Sequence, residues 1–378
     1  MNSWRRVTDL APPEGSIREI WQMVDGDSGR VIESYPVQVR RGKPFDVLRS
    51  AGTNLRSLSG YADVARRAAH ALYASVPGRH VERCPCCAAD ARTHPAFSEV
   101  YGATYRRCPD CRHVYVNPQP SVDALTTMFA TADDFAREYT NADELEFRLR
   151  EIIAPKLSWA REVYSTVYGC DLASVLDVGA GGGHFVAGCR RAGLTAEGIE
   201  INTAAASFAS RALNVSLHNI DFLTAPAVGR FDLVTLWGVL EYVPEPGQFV
   251  RRACEAMSDR GLLVVEVPRA DCLSTAVQRE FPDQVWRHMS PATHVNLFSD
   301  ASLATLLRAQ GLRPVAVWTF GMDAYELVTQ LATTLADQSA LERLARVIGP
   351  LQQFIDSEDA GDDLLVAAVP INAGAGRS

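Results

Sequence analysis

Four cysteines carry the most specific chemistry in this sequence. Cys84-Pro-Cys-Cys87 and Cys108-Pro-Asp-Cys111 are two C-x-x-C knuckles with 20 residues between them. That is the spacing of a four-thiolate zinc site. Four thiolates close the tetrahedron and leave no position for water, so the metal is read as structural. It would organise a segment too short to build its own core. Cys86 sits inside the first knuckle and competes for a ligand position. Cys170, Cys189, Cys254 and Cys272 are isolated among apolar neighbours and read as small buried hydrophobes.

The second constellation is a glycine-rich turn. Val175-Leu-Asp-Val-Gly-Ala-Gly-Gly-Gly-His-Phe185 runs from an apolar strand through Gly179, Gly181 and Gly183 into a helix. Without Cβ atoms the backbone there can touch a ligand. The dinucleotide pattern G-x-G-x-x-G fails, because His184 stands where its last glycine belongs. Asp177 would repel a pyrophosphate but suits a cation, such as the amino group and sulfonium of S-adenosylmethionine. Glu200 closes the next strand, 23 residues on, and can accept from both ribose hydroxyls. After a third strand, Asp221 can accept from an adenine amino group and Phe222 can pack on the ring.

These residues need a scaffold that brings strand ends together. From 173 onward strand-like and helix-like segments alternate: strands at 175–178, 196–199, 215–219, 231–236 and 262–267, helices at 185–192, 204–213 and 248–257. Such alternation predicts a doubly wound, mostly parallel α/β sheet with helices on both faces. A helix near 303–307 and strands at 315–320 and 364–369 follow, the last two separated by a helical insert at 322–358. The divisions expected are an appended region at 1–79 (a hairpin, with strands at 19–24 and 30–35, then a helix), a zinc ribbon at 80–120, a helical lid or linker at 121–172, the main domain at 173–370 and a tail at 371–378. Residues 1–58 are read as either a dimer contact or a substrate wall.

Asp177-x-Gly179-x-Gly181-x-Gly183, Glu200, Asp221 and the stretch Phe231-Asp-Leu-Val-Thr-Leu-Trp-Gly-Val-Leu-Glu-Tyr242 together resemble the class I S-adenosylmethionine-dependent methyltransferases. The cysteine module with Asn117-Pro118 after it resembles the zinc ribbon ahead of many bacterial small-molecule methyltransferases, with Arg112 where a glycine is usual. The resemblance implies that the three glycines bind the methionine part, that Asp177 anchors their loop, that Glu200 holds the ribose and that Asp221 and Phe222 hold the adenine. It also implies that Trp237 and Gly238 line the methyl-bearing side. Tyr139 would lie on a lid over the cofactor.

Methyl transfer to oxygen, nitrogen or carbon needs positioning and sometimes a base. The family often has a histidine after Glu241; this chain has Tyr242. The segment Arg287-His288-Met-Ser-Pro-Ala-Thr-His294-Val-Asn296-Leu-Phe298-Ser299 is similar to a loop at the mouth of related sites. His294 is the first candidate base and His288 the second, with Glu241 and Tyr242 on the acceptor side. His184 is expected to pack or to bond backbone.

Composition narrows the acceptor. The net charge is −8 and the pI about 5.6, which speaks against a nucleic-acid partner. Arg83, Arg92, Arg106, Arg107 and Arg112 on the zinc module keep an RNA substrate as the alternative; a non-catalytic scaffold is the third reading. No leader or membrane span is visible, and the unpaired cysteines fit the cytoplasm. The sequence therefore reads as an enzyme acting on a small molecule, such as a sugar nucleotide or natural-product intermediate.

Overall fold

A computed structural model describes residues 2–9, 17–43, 58–75, 78–131, 140–227, 229–284, 287–334 and 343–373. An antiparallel meander comes first: β1 (Asn2–Thr8), β2 (Arg18–Asp25) and β3 (Val31–Arg41). The expected hairpin is there with an extra strand in front of it. Helix α1 (Leu58–Ser75) follows. The cysteine module holds β4 (Ala96–Val100), β5 (Ala103–Arg107) and β6 (Val114–Val116). Helical segments follow as α2 (Val122–Thr131) and α3 (Ala154–Tyr168), the latter entered through a π-helical turn at Arg148–Ile153.

The α/β body contains β7 (Ser174–Val178), α4 (His184–Arg191), β8 (Thr195–Ile199), α5 (Thr203–Leu213), β9 (Phe231–Trp237), α6 (Pro246–Glu255), β10 (Met257–Pro268) and α7 (Leu273–Glu280). It ends with β11 (Asn296–Leu297), α8 (Asp300–Ala309), β12 (Leu312–Phe320), α9 (Asp323–Thr334), α10 (Ile348–Ser357) and β13 (Asp363–Pro370). The main sheet runs β1-β2-β3-β12-β13-β10-β9-β7-β8. Its centre is parallel, β13 is antiparallel to both neighbours, and β3 pairs parallel with β12. The sheet is thus more mixed than the βαβ pattern suggests.

Strands β9 and β10 are apolar on both faces because helices cover both. Val265, Leu303, Leu307 and Phe298 pack one face; Leu157, Trp159, Val264 and Trp318 pack the other. The strand expected at 215–219 does not form: only His218 bridges to Ile199. Ser299 caps α8, with its side chain and that of Ser302 bonding each other's backbone.

Two joints cross the expected boundaries. The second sheet runs β11-β6-β5-β4, so the main domain lends a strand to the cysteine module. The meander is locked by a buried ion network. Arg6 bonds Glu19 at 2.6 Å and Asp359 at 2.8 Å, and shares Asp300 with Arg269, which lies 2.8 Å from it. Removing one member strands the others in a low-dielectric site. Asp300→Ala is expected to lower the unfolding free energy by roughly 3 kcal/mol. Arg5→Ala, on the same strand with an exposed bond to Gln22, should cost well under half of that in the same denaturant titration.

Candidate functional site

The glycine turn leaves β7 in a backbone that L side chains resist: φ is +71° at Gly179, +52° at Gly181 and +76° at Gly183. A Cβ at Gly179 would also meet Val239 at 2.7 Å, and one at Gly183 would meet Ala209 at 2.8 Å. Glu200, at the end of β8, turns back onto this loop. Its two oxygens accept from Gly181 N and Asn202 N, each at 2.7 Å. Each oxygen keeps a second lone pair, so the carboxylate can still take a diol. The nucleoside reading fits this cradle.

Asp177 is buried, and its partner is the Thr235 hydroxyl at 2.7 Å on β9. That corrects the idea that it anchors the glycine loop; it ties two strands, because its side chain points across the sheet. Phe222 is likewise a core residue, packed on Phe249 with ring centroids 5.8 Å apart. Without a third strand the chain turns at Asp221, whose carboxylate accepts from Leu223 N at 2.9 Å, and carries the Phe222 ring inward. Trp237 ends β9 half-buried, edge-on to Phe185 at 5.1 Å. Gly238, φ +61°, lets the chain turn beside Glu241.

Three polar atoms at this end of the sheet are buried without a partner: Trp237 Nε1, Glu241 Oε2 and His184 Nε2. Orphaned groups of this kind point to a ligand. Burial pushes the Glu241 carboxyl well above its ordinary range. His184 packs on Phe208, and burial holds it neutral, down to about 4.

His294 lies against Tyr242, centroids 5.3 Å apart, and Tyr242 against Phe129 of α2 at 5.2 Å. His294 Nδ1 donates to the His288 carbonyl at 2.5 Å, which fixes Nε2 as the basic nitrogen. Burial pushes it down to about 3, so the ring is neutral throughout the working range. His288 is different. Its Nε2 is taken by Arg269 O at 3.0 Å and Thr275 Oγ1 at 2.8 Å. It is a structural residue, which corrects its candidacy as a base. Tyr139 lies outside the described residues.

Two further residues shape the site. Lys156, on the first turn of α3, pairs with Glu266 and sits 4.8 Å over the Trp237 ring. The signal was its rarity: the chain has two lysines. Asn296 donates to Leu240 O at 3.1 Å and Val243 O at 2.7 Å, and its oxygen accepts from His113 Nε2 at 3.0 Å.

Cys84, Cys87, Cys108 and Cys111 bring their sulfurs within 4.8 Å of one another, and Cys86 stands outside the group. The knuckles are alike: Ala88 N bonds Cys84 O and Arg112 N bonds Cys108 O. Both turns reach positive φ, +60° at Ala88 and +66° at Arg112, so Arg112 takes the glycine geometry. The set fits a structural zinc ion. The module carries the loop of His294: Tyr105 donates to His294 O at 2.7 Å, Val116 N to Val295 O at 3.0 Å, and Ser299 to Cys111 O at 3.2 Å.

With this geometry in hand, the relatives are informative. A family profile described as a methyltransferase domain matches residues 135–317. The ubiquinone biosynthesis O-methyltransferase of Bordetella pertussis is 30% identical over 218 residues, covering 52% of this chain and 83% of that one. The chain belongs to the S-adenosylmethionine-dependent methyltransferases. The enzyme of the same description from Caulobacter sp. K31 is 29% identical over 127 residues, 32% of this chain. The match spans about half the length of that methyltransferase. A solved 1,6-didemethyltoxoflavin-N1-methyltransferase from Burkholderia thailandensis, holding S-adenosylhomocysteine, is 17% identical with a TM-score of 0.42, covering 70% of this chain and 98% of that one. No described helix of this methyltransferase is long and apolar enough to cross a membrane.

Two measurements test the site. Elemental analysis should find one zinc ion per chain; Cys108→Ala should abolish it and Cys86→Ala should not, whereas equal loss in both would reject the assigned ligand set. Burial pushes Asp177 up to about 7 from 3.8. The folded chain therefore binds this proton more tightly than the unfolded chain, and the stability it contributes is full below about pH 4 and lost as pH rises through 7. In cofactor-free protein, Asp177→Asn should gain roughly 2–4 kcal/mol relative to wild type between pH 5 and pH 8. A pH-independent difference would contradict the raised pKa.

Proposed function

We propose that this chain methylates a hydroxyl oxygen of a small molecule, with His294 as the base. The observation that carries the reading is the His294 tautomer: Nδ1 is committed to a backbone carbonyl, and Nε2 is basic beside Tyr242 at the mouth of the cofactor crevice. When bound, S-adenosylmethionine supplies an already activated methyl group. Gly179, Gly181, Gly183 and Glu200 would hold it, with Asp221 toward its base and Trp237 and Gly238 beside its methyl. His294 Nε2 would take the proton from the acceptor hydroxyl. Tyr242 and Phe129 exclude water from that face, and the buried Glu241 Oε2, which has no partner among the described residues, is left to bond the acceptor. The choice of oxygen follows the relatives, which are named as O-methyltransferases.

The zinc module supports a small acceptor over RNA. Its arginines are turned inward or paired. Arg107 and Arg112 both bond Asp271, Arg92 bonds Asp90, Arg106 bonds His94 O at 2.8 Å and Arg83 bonds Ala88 O at 3.1 Å. A phosphate backbone would have to break these contacts. Sugar nucleotides and natural-product intermediates are the acceptor classes proposed, acting in the cytoplasm without a nucleic-acid or membrane partner; a homodimer through residues 1–58 is a further proposal.

His294→Ala should lower kcat by about 10²–10⁴-fold on any hydroxyl acceptor the wild type turns over, while calorimetric affinity for S-adenosylhomocysteine is unchanged. Because His294 is neutral from about pH 4 upward, kcat/KM should show no inflection near 6.5. Label appearing in bulk RNA but in no hydroxyl compound would overturn the small-molecule reading.

A further inference from the structure

A second cleft opens where the meander, the cysteine module and the first turn of α8 meet. It holds about 280 Å³, and its walls include Trp4, Arg6, Trp21, Arg112, Asp271 and Asp300. None of these belongs to the glycine turn, the end of β8 or the His294 loop.

Strand register builds the aromatic wall. Arg6 pairs with Trp21 across β1 and β2, and Trp21 pairs with Tyr35 across β2 and β3. Trp4, two residues before Arg6, shares their face of the sheet. Its ring stacks on Tyr35 with centroids 6.1 Å apart and planes 25° from parallel. The Arg6 guanidinium lies 5.6 Å from the centre of the Trp21 ring.

Donors outnumber acceptors in this cleft. Trp21 is 1% exposed, and its Nε1 has no hydrogen-bond partner among the described residues. An indole N–H only donates. Both carboxylates are already shared between two arginines each: Asp300 between Arg6 and Arg269, Asp271 between Arg107 and Arg112. Arg112 spends one terminal nitrogen on Asp271 at 3.2 Å, and its half-exposed guanidinium has further N–H donors to spare. This side chain stands on a left-handed backbone, φ +66°, where glycine would be unstrained. Strain of that kind gathers at binding sites. The matching position of the first knuckle, Ala88 at +60°, carries only a methyl group. A water molecule would satisfy one buried N–H in about 10–15 Å³, and the cleft is far larger than that.

We propose that this cleft binds a small aromatic acid. Such a ligand supplies the acceptors that Trp21 Nε1 and Arg112 call for, and a flat ring for the indole of Trp4. The site is separate from methyl transfer and stands whatever the acceptor proves to be. It gives the meander and the cysteine module a ligand in common, which neither could hold alone.

The chain has six tryptophans, so ¹⁵N-tryptophan labelling of the full chain gives six indole N–H signals, and Trp4→Phe and Trp21→Phe assign two of them. Cinnamate should move the Trp4 and Trp21 signals saturably and leave the others in place. Arg112→Gly keeps the backbone conformation and should weaken cinnamate about tenfold. Arg5→Ala should not weaken it, because Arg5 lies on the opposite face of β1 with its Nε bonded to Gln22. Cinnamide, which lacks the charge, and cyclohexanecarboxylate, which lacks the flat ring, should each bind about tenfold more weakly than cinnamate. The proposal is overturned if millimolar cinnamate moves neither signal, if Arg112→Gly binds it as well as the wild type, or if either control ligand matches it. It is also overturned if S-adenosylhomocysteine moves the same two signals and blocks cinnamate, which would assign the cleft to the cofactor.

Discussion

The carboxamide of Asn296 is fully buried and makes three hydrogen bonds to two separate parts of the molecule. Its NH₂ group holds the carbonyls of Leu240 and Val243, which flank Glu241 and Tyr242. Its oxygen holds His113, two residues past the last zinc-ligand cysteine. Its backbone, in β11, extends the sheet of the cysteine module. One side chain therefore sets the distance between the metal knuckle, the turn after β9 and the loop of His294. Each bond is worth about 1 kcal/mol, but a buried partner left unpaired costs about 1–3 kcal/mol. A change that frees any one of the three carbonyl or imidazole groups is therefore felt by all.

This explains what the cysteine module, whose four thiolates fit a closed metal site, holds in place. Loop backbones need partners for their polar groups. The His294 loop finds them in Tyr105 and Val116, both within the cysteine module, and the Ser299 hydroxyl adds a bond to Cys111 O. The module fixes the loop, and the loop fixes the imidazole tautomer through His288 O. Preorganisation of that kind removes the entropy of ordering the loop, so the His294 ring is held in one tautomer before any ligand arrives.

Much of this was legible from residue type and spacing. The cysteine knuckles were visible because four thiols at two fixed intervals have few other uses. The strand–glycine–helix turn was visible because positive φ at three alternating positions demands glycine. The misreadings share a different cause. The sequence pattern puts Phe222 on a ligand only if a third strand forms, and β-structure depends on neighbours that a local pattern does not contain. His288 and His294 are identical as letters, six positions apart. Only the fold shows that one imidazole spends its Nε2 on Arg269 O and the other keeps it. Asn296 is visible as part of the His294–Ser299 segment, but its bonds to Leu240, Val243 and His113, like the pairing of Lys156 with Glu266, join residues distant in sequence and show only in the fold.

The meander poses the remaining structural question, which is why a complete α/β body carries three more strands. Without residues 2–41 the sheet would end at β12, an apolar edge with open amides. Strand β3 closes that edge in parallel register, Gln38 to Ala316 through Arg41 to Thr319. Val37 and Val39 then face the core shared with Trp21, and a slip of one residue would turn them outward. The ion network of Arg6, Glu19, Asp300 and Arg269 opposes such a slip, because its partners are buried and directional. The same register fixes where the chain leaves the sheet, and so where Lys43 stands relative to Phe320. Edge protection and the placement of Lys43 over Phe320 are thus a single constraint, met by one alignment of two strands.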